Sequence, residues 1–475
     1  MSSTKQNTIY NVAYRVFSVL LPLVTAPYVS RVAGTEGVGL YSYAWTVSYV
    51  FCLVGMLGLN DYGVRVIAQA REDRDTLNRT FSAVWRMQLL VAASVLALWL
   101  VYVFVIAGEE RQIALHLTMM SVSCLVNVDW CLMGLDRFKP IALRNTAVKL
   151  IAAAAVFLFV KGPGDLWIYG LAWSAATLAG CLLCWPSLRD RVSLVPVNWK
   201  EALIHLKPCA VLSVSVLAVS IYRQMDKVML GRMAGMDQNG LYENAEKIIY
   251  CLSGFISAIG TVMMPGAASR VKKRDFDGVK GRMTHTMELI LCMTCAMAFG
   301  LLAVADRFAP LFYGADFTAS GPLLAALGFT LVMIGFANVI RTQWVLPNSR
   351  DDLFVKSVLC GAGVNLTVNL LLIPPLGALG AVIGTLSAEF TVPLVQYLLL
   401  RKELPYRTYF RLLAEYLLLG GAMAAAVRLA GRLIPAGGWG GLAALTALGA
   451  AVYGALCLTL WKAGKRTHML KLLRR

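Results

Sequence analysis

The 475-residue sequence is poor in charge, because Asp, Glu, Lys and Arg make up only 15% of it, against roughly 25% in soluble domains. Apolar residues account for 58%, so a soluble fold would have too few polar side chains to cover its core. The composition therefore excludes a soluble enzyme, a disordered chain and a repeat solenoid. Continuous rather than alternating apolar runs exclude an outer-membrane barrel. A polytopic helical membrane protein remains.

Catalytic and metal-binding signatures are also missing. The four histidines are scattered and form no HExxH pattern, which argues against a metal site. There is no GxSxG motif and no Walker loop. The 11 cysteines lie almost all in apolar runs, where even the CxxC spacings of Cys181/Cys184 and Cys292/Cys295 favour packing over redox or metal chemistry. We predict a protein that is not an enzyme and has no cofactor.

Long apolar runs are what the sequence has in abundance. A helix that crosses the hydrocarbon core needs about 20 apolar residues, and fourteen candidate runs can be counted, separated by short polar or Gly/Pro-marked breaks. We therefore predict an all-α membrane protein with about 14 transmembrane helices. The runs cover residues 9–29, 38–60, 82–106, 112–133, 141–160, 166–187, 208–231, 239–264, 284–305, 322–346, 353–373, 378–400, 409–430 and 440–461.

The basic residues indicate the orientation. Lys and Arg number 44, against 26 Asp and Glu, for a net charge of +18. When the N-terminus is placed in the cytoplasm, most of the Lys and Arg between the runs fall on the cytoplasmic side, as they do in membrane proteins generally. We expect both termini to be cytoplasmic. The positive charge thus has a membrane explanation and does not call for a nucleic-acid partner.

The chain contains an internal repeat. Residues 31–44 read RVAGTEGVGLYSYA and residues 232–245 read RMAGMDQNGLYENA, with seven identities at a constant offset of 201. Each copy joins the first two helices of a six-helix set, and because six is even the two sets cross the membrane in the same direction. Parallel repeats of this kind are typical of transporters. We predict two six-helix lobes, residues 1–207 with the connecting cytoplasmic loop and 208–408, followed by two extra helices and a basic cytoplasmic tail, 409–475.

Two neighbouring runs carry charges of both signs, although an ionisable side chain within a span costs about 2.5–3.5 kcal/mol on insertion scales. Arg223 and Asp226 are three residues apart, and Glu243 and Lys247 are four residues apart, so each pair shares a helix face. These charges form either a self-neutralising structural network or part of a substrate site with acids for ion coupling. They are Arg223, Asp226 and Lys227 in the seventh run and Glu243, Glu246 and Lys247 in the eighth.

A second set of cations is less well balanced by acids. Arg15, Lys149, Arg341 and Lys356 lie in the inner halves of four runs, and Asn338 shares a helix face with Arg341. A surplus of cations suits an anionic substrate that enters from the cytoplasm. Arginine in particular binds a phosphate through two parallel hydrogen bonds. We predict that these side chains line a cleft between the lobes and bind a diphosphate and its sugars.

Three acids within the runs do not match these cations one for one. They are Asp129, Glu288 and Glu389. Asp129 and Glu389 are candidates for coupling transport to a proton or sodium gradient, or for structural pairs. Arg144 lies nearer the edge of its run, where its side chain is expected to extend to the headgroups.

Three stretches resemble one known family in their order and spacing. They are NTIYNVAYRVFSVLLPLVTAPYVSRVAGTEGVGLYSYA at 7–44, LGLNDYGVR at 57–65, and YRQMDKVMLG with GLYENAEKI at 222–231 and 240–248. The chain is similar to the polysaccharide-unit flippases, the O-antigen and oligosaccharide repeat-unit transporters of the multidrug/oligosaccharidyl-lipid/polysaccharide exporter superfamily. The resemblance covers most of the chain and is firmest before residue 280.

The resemblance implies a V-shaped two-lobe bundle that works by alternating access. It implies export of an undecaprenyl-diphosphate-linked oligosaccharide, for lipopolysaccharide O-antigen or another polysaccharide, from the cytoplasmic to the outer leaflet of the bacterial inner membrane. Other polysaccharide-assembly proteins are then expected as partners. The seventh- and eighth-run motif includes Asp226, Lys227, Glu243, Glu246 and Lys247, whereas Arg15 and Lys356 match no part of the family pattern.

Two other functions stay open at this point. A cation-coupled multidrug antiporter of the same superfamily is expected to have an acidic, aromatic cavity, whereas the cavity predicted here is basic. A membrane glycan polymerase or ligase is expected to carry a larger extracytoplasmic loop than the short outer loops of this chain. A flippase for the peptidoglycan precursor is a close variant that the sequence separates poorly.

Overall fold

A computed structural model describes residues 2–433, 438–464 and 466–472 of the chain, with side chains from Leu21 onward. Side chains at positions 22, 215, 216, 218, 219, 221, 467, 471 and 472 are outside the description. Over the described ranges the regular structure is helical and no strand is formed, which confirms the all-α prediction.

Within the described residues, nine α-helices lie before residue 236. They are α1 Ser2–Met56, α2 Leu59–Ala70, α3 Arg74–Val101, α4 Arg111–Val126, α5 Asp129–Gly134, α6 Phe138–Phe159, α7 Leu166–Leu182, α8 Trp199–Leu203 and α9 Leu206–Met233. Nine more follow. They are α10 Met236–Lys272, α11 Phe276–Tyr313, α12 Ser320–Leu327, α13 Thr330–Ile340, α14 Asp351–Leu376, α15 Ala378–Leu400, α16 Tyr406–Leu433, α17 Gly438–Ala463 and α18 Thr467–Leu472.

Eleven helical segments of the described chain are long and apolar enough to cross a membrane. All fourteen predicted runs fall on helices, but the count of 14 is not confirmed. The first two runs lie largely in α1, on either side of a break at Gly34, and count as one segment. The run 112–133 is divided between α4 and α5, each shorter than a span. The charged helix α9 is not among the eleven segments.

Aspartates fix where two of the long helices begin. Asp73 precedes α3 and accepts a hydrogen bond from the amide of Thr76 at 3.0 Å. Asp275 precedes α11 and accepts one from the amide of Gly278, also at 3.0 Å. These bonds satisfy amides that have no partner within the helix. They also lower the pKa of both carboxyls, through the Thr76 hydroxyl and amide at Asp73 and the Gly278 amide at Asp275.

The repeat found in the sequence is also present in the backbone. Gly34 interrupts α1 with a φ of 69°, and Gly235 precedes α10 with a φ of 97°. The two glycines are 201 positions apart, the offset of the repeat. Glycine adopts positive φ without the steric penalty of a Cβ atom, so both copies change direction at the same place.

A second pair of matching turns lies at an offset of 213. Asp136 and Ser349 have φ values of 57° and 56°. The amide of the next residue, Arg137 or Arg350, then bonds back to a carbonyl five positions earlier, at 2.8 Å and 3.0 Å. Because hydrogen bonding rather than side-chain identity defines this turn, the sequence repeat did not reveal it.

The chain divides into two compact units, residues 1–240 and 241–475. In the first unit, Trp130 stacks on Phe81 with ring centroids 5.6 Å apart, and Trp99 stacks on Tyr102 at 5.3 Å. In the second unit the largest fully buried side chains include Tyr313, Phe317, Tyr409 and Tyr416. The lobe boundaries drawn from helix number stay a prediction.

Small residues allow α14 and α15 to pack closely in the second unit. A methyl group on Gly380 would overlap the carbonyl oxygen of Leu372, and one on Gly384 would overlap the side-chain oxygen of Asn369. Asn369 in turn donates to Asn365 at 3.3 Å. The GxxxG spacing of these glycines therefore serves helix packing, as it does in many membrane proteins.

Candidate functional site

The candidate cations of the first unit lie on two helices. Lys149 is half-buried in α6, and Lys227 is half-buried in α9, while Arg223 is exposed and Asp226 is buried on the same helix. The side chain of Arg15, the remaining candidate from this part of the chain, lies outside the described residues.

Asp129 and Arg144 form a buried ion pair in the first unit. Asp129 begins α5, and both its carboxylate oxygens accept from Nη2 of Arg144 in α6 at 2.6 Å. The two side chains are only 16% and 8% exposed. Arg144 also donates to the carbonyl of Gly180, and the Cys184 thiol donates to Asp129 at 3.3 Å. The expectation that Arg144 extends to the headgroups was wrong, because α6 directs it toward α5 and α7.

A second buried carboxylate, Glu110, was missed by the sequence analysis. It accepts from the hydroxyl of Tyr102 at 2.7 Å and from Nη2 of Arg232 at 3.0 Å. Arg232 donates through Nε to the hydroxyl of Tyr43 at 2.7 Å. Glu110 is 1% exposed, whereas the Arg232 side chain is 46% exposed. Arg232 is therefore held by a carboxylate and a phenol while part of its guanidinium stays accessible.

The two copies of the repeat contact each other within the first unit. The hydroxyl of Thr35 donates to the carboxylate of Asp237 at 2.6 Å, and the side-chain amide of Asn239 donates to the carbonyl of Gly39 at 2.8 Å. Asn239 is fully buried. The contact joins the middle of α1, just after the break at Gly34, to the start of α10, on the predicted outer side of the membrane.

In the second unit, α10 carries the predicted pair of the eighth run. Lys247 lies 3.2 Å from Glu243, one helical turn away, and their side chains are 22% and 15% exposed. This confirms that the two share a helix face. Glu246 is half-buried on the same helix, as is Glu389 on α15.

Asn338 and Arg341 are brought together as predicted. Arg341 begins a π-helical turn, Arg341–Val345, and its Nη2 donates to Asn338 at 3.1 Å. Its guanidinium carbon lies 5.1 Å from the ring centre of Phe354. Asn338 is 8% exposed and donates to the carbonyl of Ile256 at 3.2 Å. Because π-helical turns are frequent at functional sites, this half-buried arginine is the best-defined candidate of the second unit.

Lys356 differs from the other candidates. It pairs with Asp352 at 3.1 Å in the first turns of α14, and both side chains are about two-thirds exposed, at 66% and 67%. An exposed pair of this kind contributes little to stability. Lys356 is thus available at the surface of the second unit rather than buried in a helix bundle.

Comparison with known proteins decides the family. Residues 4–269 match the family described as "Polysaccharide biosynthesis protein". The chain belongs to this family. It is 21% identical over 380 residues to a putative O-antigen transporter of Shigella dysenteriae, which covers 79% of this chain and 94% of the relative. It is 23% identical over 412 residues to a putative O-antigen transporter of Escherichia coli (strain K12), with 84% and 97% covered. The resemblance seen in the sequence motifs is thereby confirmed.

Solved structures share the fold. The lipid II flippase MurJ, in an inward closed conformation, aligns with a TM-score of 0.78 at 14% identity. The alignment covers 96% of this chain and 99% of the MurJ chain. An inward-facing multidrug resistance MATE family transporter of the MOP superfamily matches 82% and 94% with a TM-score of 0.58, also at 14% identity. These likenesses show that the chain shares the helical fold of these proteins.

Proposed function

We propose that this protein flips an undecaprenyl-diphosphate-linked oligosaccharide, an O-antigen or other polysaccharide repeat unit, from the cytoplasmic to the outer leaflet by alternating access. The observation that carries the proposal is the family match over residues 4–269. It is supported by two relatives named as putative O-antigen transporters that align over most of their length. The protein is then a transporter and not an enzyme, and its substrate is a lipid-linked oligosaccharide.

The geometry suggests how the diphosphate is held. Asn338 and the ring of Phe354 fix the plane of the Arg341 guanidinium, and a fixed guanidinium presents the forked donors that match a phosphate. Lys149, half-buried in α6, is a second candidate cation for the diphosphate. Asn338 and its polar neighbours suit the sugar hydroxyls.

Location and coupling follow the same proposal. The protein resides in the bacterial inner membrane with both termini in the cytoplasm, and it works with other polysaccharide-assembly proteins. A proton or sodium ion drives transport through an acid such as Asp226, Glu243, Glu246 or Glu389. For Asp129, the bonds from Arg144 to both carboxylate oxygens support a structural pair rather than ion coupling.

A multidrug antiporter is the second candidate, since a MATE family transporter shares the fold. Its TM-score of 0.58 is lower than the 0.78 of the lipid II flippase. The surplus of cations among the candidate residues also suits an anionic rather than a cationic substrate.

The test uses proteoliposomes that contain a fluorescent undecaprenyl-diphosphate oligosaccharide. We expect leaflet exchange to require the protein and to fall in Arg341→Ala and Lys149→Ala, but not in Arg407→Ala, which removes an exposed arginine at the start of α16. Exchange unaffected by the first two variants would leave the flippase but remove those cations from the substrate site. Absence of exchange, with transport of a drug cation instead, would favour the antiporter.

A further inference from the structure

A buried carboxylate on α11 holds the C-terminal segment of the second unit. Glu288 is 4% exposed and accepts from the hydroxyl of Tyr416 on α16 at 3.0 Å. Its two oxygens also bind Arg466 and Nε2 of His468, the latter at 2.8 Å. Three donors from two other parts of the chain therefore converge on one carboxylate.

The same cluster involves α16 and α17. Arg466 binds a second carboxylate, Glu415, which Arg411 approaches at 3.0 Å from the exposed side. Nε1 of Trp461, near the end of α17, donates to the Tyr416 hydroxyl at 2.8 Å. Residues 466–472, which include α18, are thus fastened to three long helices through Glu288 and its neighbours.

Two imidazole rings meet at this point. His285 precedes Glu288 by about one turn of α11, and its ring centroid lies 3.9 Å from that of His468. Two cationic rings at this separation would repel each other strongly, so the pair favours a single added proton. Imidazole is the side chain whose charge ordinarily changes between about pH 5 and 8.

Without a proton on either ring, the buried charges around the rings do not balance. Glu288 and Glu415 carry two negative charges, and Arg466 supplies one positive charge. Arg411 lies at the rim with its side chain 78% exposed, where water screens it. A proton on His468 completes the balance and makes its bond to Glu288 charge-assisted, which is roughly twice as strong as a neutral bond.

Other titratable groups also lie near the two rings. The charged and titratable groups that the described parts of α11, α16, α17 and the C-terminal segment bring to this cluster are His285, Glu288, Arg411, Glu415, Tyr416, Arg466 and His468, with Cys292, Tyr453 and Cys457 deeper along α11 and α17.

We propose that His468, together with Glu288 and His285, is a proton-binding site that fastens residues 466–472 to the membrane helices. Uptake of one proton strengthens the docking of this segment, and release of the proton loosens it. The site responds to the pH of the compartment in which the C-terminus lies. The site does not involve the proposed substrate, so a test of the site does not depend on the proposed function.

Hydrogen–deuterium exchange of the full-length protein in lipid nanodiscs tests the proposal. The amides of Met469 and Leu470 bond to the carbonyl of Arg466, and their exchange reports whether the segment is docked. After correction for the chemical exchange rate, we expect exchange of the 466–472 peptide to be roughly tenfold slower at pH 6 than at pH 8.5. His468→Gln retains an amide donor for Glu288 but binds no proton, so its corrected exchange should be fast at both pH values.

Two further variants sharpen the test. His116→Gln removes a histidine of the first unit that bonds to its own helix at Gln112, and it should behave as the wild type does. His285→Gln should retain the pH dependence, because His468 and Glu288 are both still present. Equal corrected exchange at both pH values in the wild type, or a wild-type pH dependence in His468→Gln, would overturn the proposal.

Discussion

Gly39 and Gly240 occupy corresponding positions in the two copies of the repeat, and each lies against the backbone of the other copy. A methyl group on Gly39 would overlap the carbonyl oxygen of Met236, and one on Gly240 would overlap that of Thr35. Thr35 and Met236 are themselves 201 positions apart. The contact is therefore reciprocal, like an interface between identical subunits related by a two-fold axis.

This reciprocity predicts that the two glycines are equally intolerant of alanine. In both Gly39→Ala and Gly240→Ala the added methyl group meets backbone, which cannot move aside, and overpacking of this kind costs about 1–3 kcal/mol. Both variants should lower the apparent unfolding temperature in detergent to a similar degree. Gly254→Ala is the matched control on α10, since its new methyl group meets open space. An equal loss of stability in all three variants would contradict the prediction.

The hydrogen bond between Thr35 and Asp237 predicts a reversible block of transport. The two side-chain oxygens are 2.6 Å apart, and we expect cysteines at both positions to form a disulfide between α1 and α10. In an alternating-access cycle we expect α1 and the start of α10 to separate at this contact when the outer side opens. Oxidation of Thr35→Cys/Asp237→Cys should therefore reduce lipid flipping to background, and a reductant should restore it. Each single-cysteine variant should be insensitive to oxidation, and flipping by the oxidised double variant would refute the requirement.

The Asp129–Arg144 pair predicts strong energetic coupling. Removal of one partner leaves a buried charge without compensation, which costs about 3–5 kcal/mol. Asp129→Asn and Arg144→Gln should each lower the free energy of unfolding by this order, whereas the double variant should recover much of the loss. The measurement is a double-mutant cycle in denaturant. Additive losses would mean that the pair does not act as a unit.

How far the sequence predicted the fold depends on the range over which each interaction acts. The fourteen runs fall on helices because apolar length and local breaks determine a helix within its own segment. The repeat at residues 31–44 and 232–245 was found because Arg, Ala, Gly, Leu and Tyr recur at the same positions in the two copies. Its reciprocal contact was not foreseen, since spacing along the sequence does not say which loops meet.

The buried charges were predicted less well than the helices. The position of Arg144 in its apolar run placed it near a membrane edge, but the direction of its side chain depends on the packing of α6. Glu110 and Arg232 are 122 positions apart, and Glu288 finds its partners in the C-terminal segment. No local sequence pattern predicts pairs between residues so far apart in the chain. By contrast, Glu243 and Lys247 lie one turn apart on the same helix, and that pairing was predicted correctly.

The connection between α7 and α8 predicts a localised effect on hydrogen exchange. Asn78 and Ser82 of α3 accept from the amides of Ser193 and Val195 at 2.8 Å and 3.0 Å. Four helical residues rise about 6 Å, close to the advance of about 6.6 Å over two extended residues, so the two spacings match along the helix. Ser82→Ala should accelerate hydrogen exchange at Val195.

The control for Ser82 lies on the same helix. The hydroxyl of Ser94 donates to the carbonyl of Leu90 within α3 at 2.9 Å, so it holds no part of the connection. Ser94→Ala should therefore leave exchange of the 191–199 peptide unchanged. Comparable acceleration in both variants would indicate a general loosening of α3 and would contradict a specific role of Ser82.

His205, just before α9, predicts a pH-dependent stability of defined sign. Its Nδ1 lies 2.7 Å from the hydroxyl of Tyr62, and burial lowers the pKa of His205 below its usual value. The folded state therefore favours the neutral ring. The stability that this preference contributes is fully present above the unfolded pKa of about 6.5 and is lost as the pH falls through the lower folded pKa. The unfolding free energy of the wild type, minus that of His205→Gln, should thus decrease from pH 7.5 to pH 5.

The hydroxyl of Tyr62 allows burial to be separated from hydrogen bonding as the cause. Tyr62→Phe removes the hydrogen bond but keeps the ring that covers His205, with centroids 5.7 Å apart in the native protein. The sign of the pH dependence should therefore survive in Tyr62→Phe, although its stability is lower at all pH values. His116→Gln serves as the reference for loss of a histidine elsewhere. If the difference between wild type and His205→Gln instead grew on acidification, a charged His205 would be the folded form, and burial would not be the dominant influence on it.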